Sequence, residues 1–143
     1  MIGTFKGSVN LKNAESYGIT EGKKNVTFIC KWNTDKTVMT GQWAYDDGSI
    51  DVRLIASYNP RERSIRMNYH ASTGNQIEAE LIGVYNNGFL WDRGGDTPQG
   101  QLYEKCLMDY SKDGQLTHRI IGRTLNGVPE GEEPDIILEK VSE

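Results

Sequence analysis

The sequence contains little of what catalytic and metal sites usually require. Among its 143 residues there are two cysteines, Cys30 and Cys106, and two histidines, His70 and His118. Two cysteines without clustered histidines make no zinc site, and both alternate with apolar neighbours, which predicts buried thiols. His-Glu-x-x-His, Cys-x-x-Cys, Gly-x-Ser-x-Gly and Walker motifs are also absent. We therefore expect no metal and no cofactor, and the sequence names no catalytic residue.

The charge pattern and the short apolar runs exclude two classes of partner. Sixteen basic and 20 acidic side chains give a net charge of −4, with both signs interspersed, whereas nucleic-acid binding needs a basic surface. No apolar run approaches the roughly 18 residues of a membrane span, and no signal-peptide core follows Met1. These features predict a cytoplasmic protein that binds neither nucleic acid nor membrane.

Helical periodicity is missing as well. Apolar residues spaced i, i+3, i+4, i+7 persist nowhere over three turns. Stretches rich in β-branched and aromatic residues alternate instead with Gly, Asn and Pro turns. The predicted strands are residues 2–9, 26–32, 38–45, 50–58, 64–70, 76–85, 89–93, 102–110, 116–125 and 135–141. Such a series of hairpins predicts a single all-β domain over residues 1–143, an antiparallel up-and-down barrel of eight to ten strands.

Two connections interrupt this pattern. Residues 10–24 have no sustained period, so we expect a long connection that lies across one end of the barrel. Residues 94–100 are rich in glycine and contain a proline, which predicts a loop. The chain also enters its first strand after a single residue, and this is typical of an N-terminus that has lost a short helix.

Side chains in a strand alternate between two faces, and here one face is apolar and the other charged. Because no helix covers the apolar face, the sheet must bury it by closing on itself. A barrel of about ten strands encloses more space than its side chains fill, which predicts a ligand cavity. The predicted ligand-binding residues are Phe28, Trp32, Leu54, Met67, Tyr69, Leu81, Trp91, Met108 and His118.

Three assignments stay open from the sequence. His118 lies on the apolar face between Leu116 and Ile120, where a neutral imidazole can hydrogen-bond a neighbour, orient a polar group of a ligand (a role that Tyr69 can fill instead), or act as a base or metal ligand. The tryptophans can line a cavity or fill the core. If the faces are inverted, charged residues line a polar pocket for an anionic ligand instead; these are Arg53, Arg66, Arg119, Arg123, Asp51, Glu78, Glu80 and Asp92.

Several short motifs carry a family resemblance. Ile2-Gly-Thr-Phe-Lys-Gly7 resembles the Gly-x-Trp-x-Gly start of calycin barrels, with Phe5 in place of the tryptophan that plugs the closed end. The later motifs are similar to the DUF1579-type, lipocalin-like family of small bacterial proteins: Thr40-Gly-Gln-Trp43, Ser72-Thr-Gly74, Trp91-Asp92 and Asp109-Tyr110. The calycin resemblance implies binding of small apolar or amphipathic molecules, whereas the DUF1579 likeness implies no agreed activity. The shorter Phe5 predicts a smaller or differently placed plug.

Three functions follow from these expectations. The first is a binding protein that holds a small apolar or amphipathic molecule in the barrel. The second is a barrel enzyme (an isomerase, cyclase or hydrolase) with His118 or a carboxylate as base. The third is a filled barrel that acts as an interaction module, for example as a homodimer. The sequence decides neither whether the interior is open nor which molecule binds.

Overall fold

The protein is a closed β-barrel in a computed structural model that describes residues 2–12 and 18–143, apart from the side chain of Ser111. Eleven strands of the described residues form one sheet. They are β1 (Gly3–Leu11), β2 (Gly22–Trp32), β3 (Val38–Tyr45), β4 (Asp51–Asn59), β5 (Ser64–Ala71), β6 (Gln76–Tyr85), β7 (Gly88–Thr97), β8 (Gly100–Lys112), β9 (Gln115–Leu125), β10 (Val128–Pro129) and β11 (Ile136–Ser142). The described residues include no helix, hence none that could cross a membrane.

Closure follows from antiparallel pairing of neighbouring strands. β1 to β8 pair in chain order, β8 pairs with β9, and β11 lies between β9 and β1. The two-residue β10 only extends the end of β9, so ten strands make the barrel. The predicted all-β, up-and-down antiparallel barrel is confirmed.

The turns contain residues in the left-handed region, as their sequences predicted: Asn86 has a φ of 52° and Asn126 a φ of 52°.

The predicted loop over residues 94–100 is wrong. β7 continues to Thr97 and β8 begins at Gly100, so Gly94 and Gly95 belong to a strand. A Cβ on Gly95 would lie 2.1 Å from the carbonyl oxygen of Gln76 on β6. The glycine is present because the backbone of β6 approaches β7 closely there. In the sequence alone, such a glycine cannot be distinguished from one that marks a turn.

The connection between β1 and β2 is shorter than the predicted residues 10–24. β1 extends to Leu11 and β2 begins at Gly22, while residues 13–17 of the predicted connection lie outside the described residues. Leu11 and Ile19 are both buried. The chain on either side of this connection therefore contributes apolar surface to the interior.

One side of the barrel interior is packed solidly. Phe5, Cys30, Leu116 and Leu138 come from the neighbouring strands β1, β2, β9 and β11, and all are fully buried. The ring of Phe5 packs edge-on against Tyr110, with centroids 5.7 Å apart, and lies 6.1 Å from the ring of Phe28. Burial raises the pKa of Cys30 and of Cys106 to about 11, so both thiols stay protonated at neutral pH.

Candidate functional site

The remaining interior contains a cavity of about 110 Å³. Its wall is formed mainly by aromatic, aliphatic and methionine side chains, as in most small-molecule sites. An apolar cavity of roughly 150 Å³ admits a benzene molecule. The cavity is smaller than this, so it accommodates a single ring only where side chains of the wall move.

Most of the predicted ligand-binding residues meet at this cavity. Those that line it are Phe28, Leu54, Met67, Tyr69, Trp91, Met108 and His118. Leu81 packs against the core but does not border the cavity. Trp32 was also expected to contact the ligand from the apolar face. It is paired with Met39, which borders the cavity, but at the last residue of β2 its side chain is 46 % exposed and does not border the cavity itself. Alternation alone cannot predict burial at a strand end that extends beyond the packed interior.

Other lining residues were not predicted. They are Leu11, Ile19, Met39, Trp43, Tyr45, Ile50, Val52, Ile120, Pro134 and Ile136, together with the charged Arg93, Arg123 and Glu133. Every methionine after Met1 borders the cavity. Because methionine is unbranched and polarisable, these walls can adapt to ligands of different shape.

A buried ionic cluster forms one part of the cavity wall. Glu104 on β8 is fully buried between Arg93 on β7 and Arg123 on β9. Arg93 Nε donates to Glu104 Oε1 at 3.1 Å and its Nη2 donates to the same oxygen, while Arg123 Nε donates to Oε2 at 2.7 Å. Both oxygens of one carboxylate thus hold two guanidinium groups in place. Removing three charges from water costs several kcal/mol. Buried charged groups of this kind are more frequent at functional sites than in ordinary cores.

Arg93 has a second contact. Its guanidinium carbon lies 5.3 Å from the ring centroid of Tyr69 on β5, within the range of a cation–π interaction. Ala79 on the intervening β6 is paired with Arg93, and its small side chain leaves room for the arginine to reach across. Arg93 therefore connects the ionic cluster to the aromatic wall.

Arg123 enters the barrel because of a β-bulge. Lys105 on β8 pairs with Ile121, whereas Tyr103 pairs with Thr124, so Gly122 and Arg123 together oppose Glu104 alone. Gly122 has a φ of +63°, which is the geometry of a bulge that starts with a left-handed glycine. The sequence-based assignment of Arg123 to the outer face is wrong, since the extra residue turns it inward, where it is 8 % exposed.

Glu133 adds a second carboxylate to the cluster. It comes from the segment between β10 and β11, and its Oε1 lies 3.9 Å from Arg123 Nη1. Its Oε2 accepts a hydrogen bond of 3.1 Å from the backbone N–H of Lys12, just after β1. β11 pairs with β9 only from Ile136 onward. The segment that holds Glu133 and Pro134 therefore completes the wall beside the C-terminal half of β9.

His118 borders the cavity from β9. It pairs with Met108 on one side and Ile136 on the other, and its ring lies 4.9 Å from that of Trp43. Burial lowers the pKa of His118 to about 3, with Arg93 and Arg123 adding to the effect and Glu104 opposing it. The imidazole is neutral at physiological pH. A histidine with so low a pKa is a weak general base at pH 7.

The buried tyrosine and tryptophan groups differ in their hydrogen bonding. Burial raises the pKa of Tyr45 to about 12, although a hydrogen bond from Trp43 partly opposes the shift. Trp43 thus has a partner for its indole. The Nε1 atom of Trp91 is buried and has no hydrogen-bond partner among the residues that the structure describes.

Two of the cluster residues carried a signal in the sequence. Arg93 shares the apolar parity of Phe89 and Trp91, and Glu104 shares that of Leu102 and Cys106. A charged residue on an otherwise apolar face needs a partner, and the two are directly paired across β7 and β8. Arg123 carried only the weaker signal of a preceding glycine within a strand.

The remaining charged residues support the original assignment of faces. Arg53, Arg66, Glu78 and Glu80 are exposed on the outer face, and Arg119 pairs there with Asp135, with Nη2 to Oδ2 at 2.7 Å. The inverted assignment, with Arg53, Arg66, Arg119 and Arg123 inside, is therefore wrong for the first three, and of the four arginines Arg123 alone is buried. Within the described part of the chain, no group of three or more His, Cys, Asp or Glu side chains is placed to hold a metal ion.

No family model and no curated protein matches the chain. The resemblance to calycins and to the DUF1579-type family therefore stays a prediction from the motifs.

Proposed function

We propose that this barrel is a binding protein for a small, largely apolar or amphipathic molecule, held in the cavity between β2–β5 and β7–β9. The observation that carries the proposal is the cavity itself, whose wall combines rings, methionines and one ionic cluster. Burial of ligand apolar surface, at about 25 cal/mol per Å², supplies the affinity. The polar groups on the wall orient the ligand.

The ionic cluster supports a binding role over a purely structural one. A buried Arg–Glu–Arg arrangement is often less stable than well-packed apolar residues of the same volume. In this barrel Arg93 and Arg123 both border the cavity. Apolar residues at these positions would have avoided the cost of burying charge. Glu104 keeps both guanidinium groups fixed, and a fixed wall lowers the entropy lost on binding.

The two rival functions have less support. The enzyme hypothesis relied on His118 or a carboxylate as base, but the lowered pKa of His118 makes it a weak base at neutral pH. Glu78 and Glu80 are exposed on the outside, away from the cavity. The interaction module required a filled barrel, and the cavity disfavours that reading. A cytoplasmic location and a homodimer stay predictions of the sequence.

Binding can be tested with a single-ring quencher and a pair of adjacent residues. Nitrobenzene should quench the buried fluorescence of Trp43 and Trp91 saturably in a Trp32→Phe background, which removes the exposed tryptophan. Ile120→Phe places extra volume in the cavity and should weaken this binding at least fivefold. Ile121→Phe, at the next residue, lies on the exposed outer face and should leave it unchanged.

Native mass spectrometry of freshly purified protein complements this titration. A small molecule that copurifies with the wild type, and is lost in Ile120→Phe but kept in Ile121→Phe, would identify a ligand class directly. Linear quenching by nitrobenzene without saturation, or equal quenching of both variants, would contradict binding in the cavity.

A further inference from the structure

The indole N–H of Trp91, a residue of the cavity wall, is an unusual buried hydrogen-bond donor. Trp91 on β7 borders the cavity and is 4 % exposed. Its Nε1 is buried without a hydrogen-bond partner in residues 2–12 and 18–143. A buried donor left without an acceptor costs about as much free energy as a lost hydrogen bond. Buried indole N–H groups therefore normally have a partner, and a ligand atom in the adjacent cavity is one candidate.

The neighbouring tryptophans differ from Trp91 in this respect. Trp43 shares the cavity wall, but its indole hydrogen-bonds to Tyr45. Trp32 is 46 % exposed, and its N–H is not one of the buried groups without a partner. Among the three tryptophans, Trp91 is thus the one that borders the cavity and has a buried N–H without a partner in the described residues.

The charges at the cavity wall limit what the acceptor can be. Arg93 and Arg123 are balanced by the carboxylates of Glu104 and Glu133. The rest of the wall is mainly apolar. An anionic ligand would add a negative charge to a buried cluster that is already balanced, and an uncompensated buried charge is strongly unfavourable. A neutral acceptor avoids this cost.

We propose that the ligand is an uncharged molecule of about one ring that carries an acceptor oxygen, such as a carbonyl, and that this oxygen accepts a hydrogen bond from Trp91 Nε1. The inference rests on the proposed binding function and specifies its ligand class. The ring packs against the methionines and aromatic residues of the wall, and the acceptor oxygen faces β7. Trp91 then selects the polar end of the ligand, while the apolar wall supplies most of the affinity.

Three matched probes test this assignment: acetophenone, which has a neutral carbonyl, isopropylbenzene, which has a similar size without an acceptor, and benzoate, which is anionic. Dissociation constants are measured for the wild type and for Trp91→Phe, which keeps an aromatic ring but removes the N–H. We expect Trp91→Phe to weaken acetophenone roughly five- to tenfold, the range for one hydrogen bond. Isopropylbenzene should change less than twofold, and benzoate should bind the wild type more weakly than acetophenone does.

Nitrogen-15 NMR of the indole groups gives a second measurement that does not depend on a substituted cavity. Acetophenone should shift the Trp91 indole N–H resonance downfield, whereas isopropylbenzene should not. Trp32→Phe assigns the exposed indole and serves as a control whose affinities equal those of the wild type.

The outcomes separate the two proposals. Equal weakening of acetophenone and isopropylbenzene by Trp91→Phe, without an indole shift, would overturn the role of Trp91 and leave the binding cavity in place. Tighter binding of benzoate than of acetophenone would overturn the choice of a neutral ligand. Failure of all three probes to bind the wild type would overturn the inference together with the proposed function.

Discussion

Arg119 and Arg123 lie four residues apart on one strand but on opposite sides of the barrel wall. Arg119 pairs with Asp135 at the surface, whereas Arg123 is buried against Glu104. Strict alternation would place both on the same face. The difference arises at Gly122, the left-handed first residue of the bulge opposite Glu104. A single additional residue in β9 thus determines that the cavity wall has a second arginine.

Replacement of Gly122 should destabilise the barrel through its backbone alone. A Cβ on Gly122 meets no atom within 4 Å, so Gly122→Ala introduces no clash. We expect a loss of about 1–2 kcal/mol in the free energy of unfolding, because an L-residue with a side chain disfavours the left-handed region. Urea unfolding measures it. Gly122→Asn is the control and should lose less, since asparagine tolerates positive φ; equal stability of Gly122→Ala and the wild type would contradict the explanation.

Loss of the Glu104 carboxylate should be far more costly than loss of a surface carboxylate. Glu104→Gln removes the carboxylate that Arg93 and Arg123 share, and breaking such a buried pair typically costs about 3–5 kcal/mol. Asp135→Asn breaks the exposed pair with Arg119 and should cost about 1 kcal/mol or less. Equilibrium urea denaturation compares the two variants. Similar losses in both would show that the cluster is not held by Glu104.

An apolar replacement of the whole cluster tests whether its charges or its shape matter for the stability of the fold. The quadruple variant Arg93→Met, Glu104→Leu, Arg123→Met, Glu133→Gln should recover most of the stability lost in Glu104→Gln, because no charge of the cluster remains buried. If it is as unstable as Glu104→Gln, the cluster contributes to stability through shape as well as through charge compensation.

Acid should destabilise the fold in part through His118. Its pKa is about 3 in the folded protein, below the roughly 6.5 of an unperturbed histidine. Above pH 6.5 the group is neutral in both states and has no effect on stability. As the pH falls below 6.5 toward 3, the unfolded chain binds a proton that the folded protein does not, and stability falls by up to about 1.4 kcal/mol per pH unit.

His118→Gln isolates this contribution, because the carboxylates titrate alike in both proteins. The difference in unfolding free energy between wild type and variant, measured in urea from pH 7.5 to 4.5, should be constant above pH 6.5. Below that pH it should change in favour of the variant. A constant difference over the whole range would mean that the imidazole titrates normally in the folded state.

Gly95 and its neighbour Gly94 differ in how much space a Cβ atom would have. Gly95→Ala places a Cβ 2.1 Å from the Gln76 carbonyl oxygen, which cannot move without separating β6 from β7. We expect a loss of about 1–3 kcal/mol, as for other overpacked sites. Gly94→Ala is the matched control, since its Cβ would lie 3.3 Å from its nearest contact, the Leu102 oxygen. The midpoint of thermal unfolding should fall clearly more in Gly95→Ala than in Gly94→Ala.

Alternation of apolar and polar residues was sufficient to predict the strands, the hairpin order and the interior positions of Phe28, Met67 and Trp91. These features depend on neighbours along the chain, and the sequence therefore determines them. A second local rule, that glycine and proline mark loops, failed at Gly95, where the close approach of a neighbouring strand requires the glycine. Alternation failed to predict the exposure of Trp32, which lies at a strand end beyond the packed interior.

Only the tertiary structure decided how the charged residues meet. The cluster of Arg93, Glu104 and Arg123 requires three strands in register and a bulge in β9. The extra residue of this bulge can be recognised only when β9 is aligned with β8. The contributions of Ile19 and Glu133 to the wall likewise depend on where connections pass over the closed barrel. Alternation is a property of one strand, whereas register, bulges and closure belong to pairs of strands distant in sequence, and these established the site.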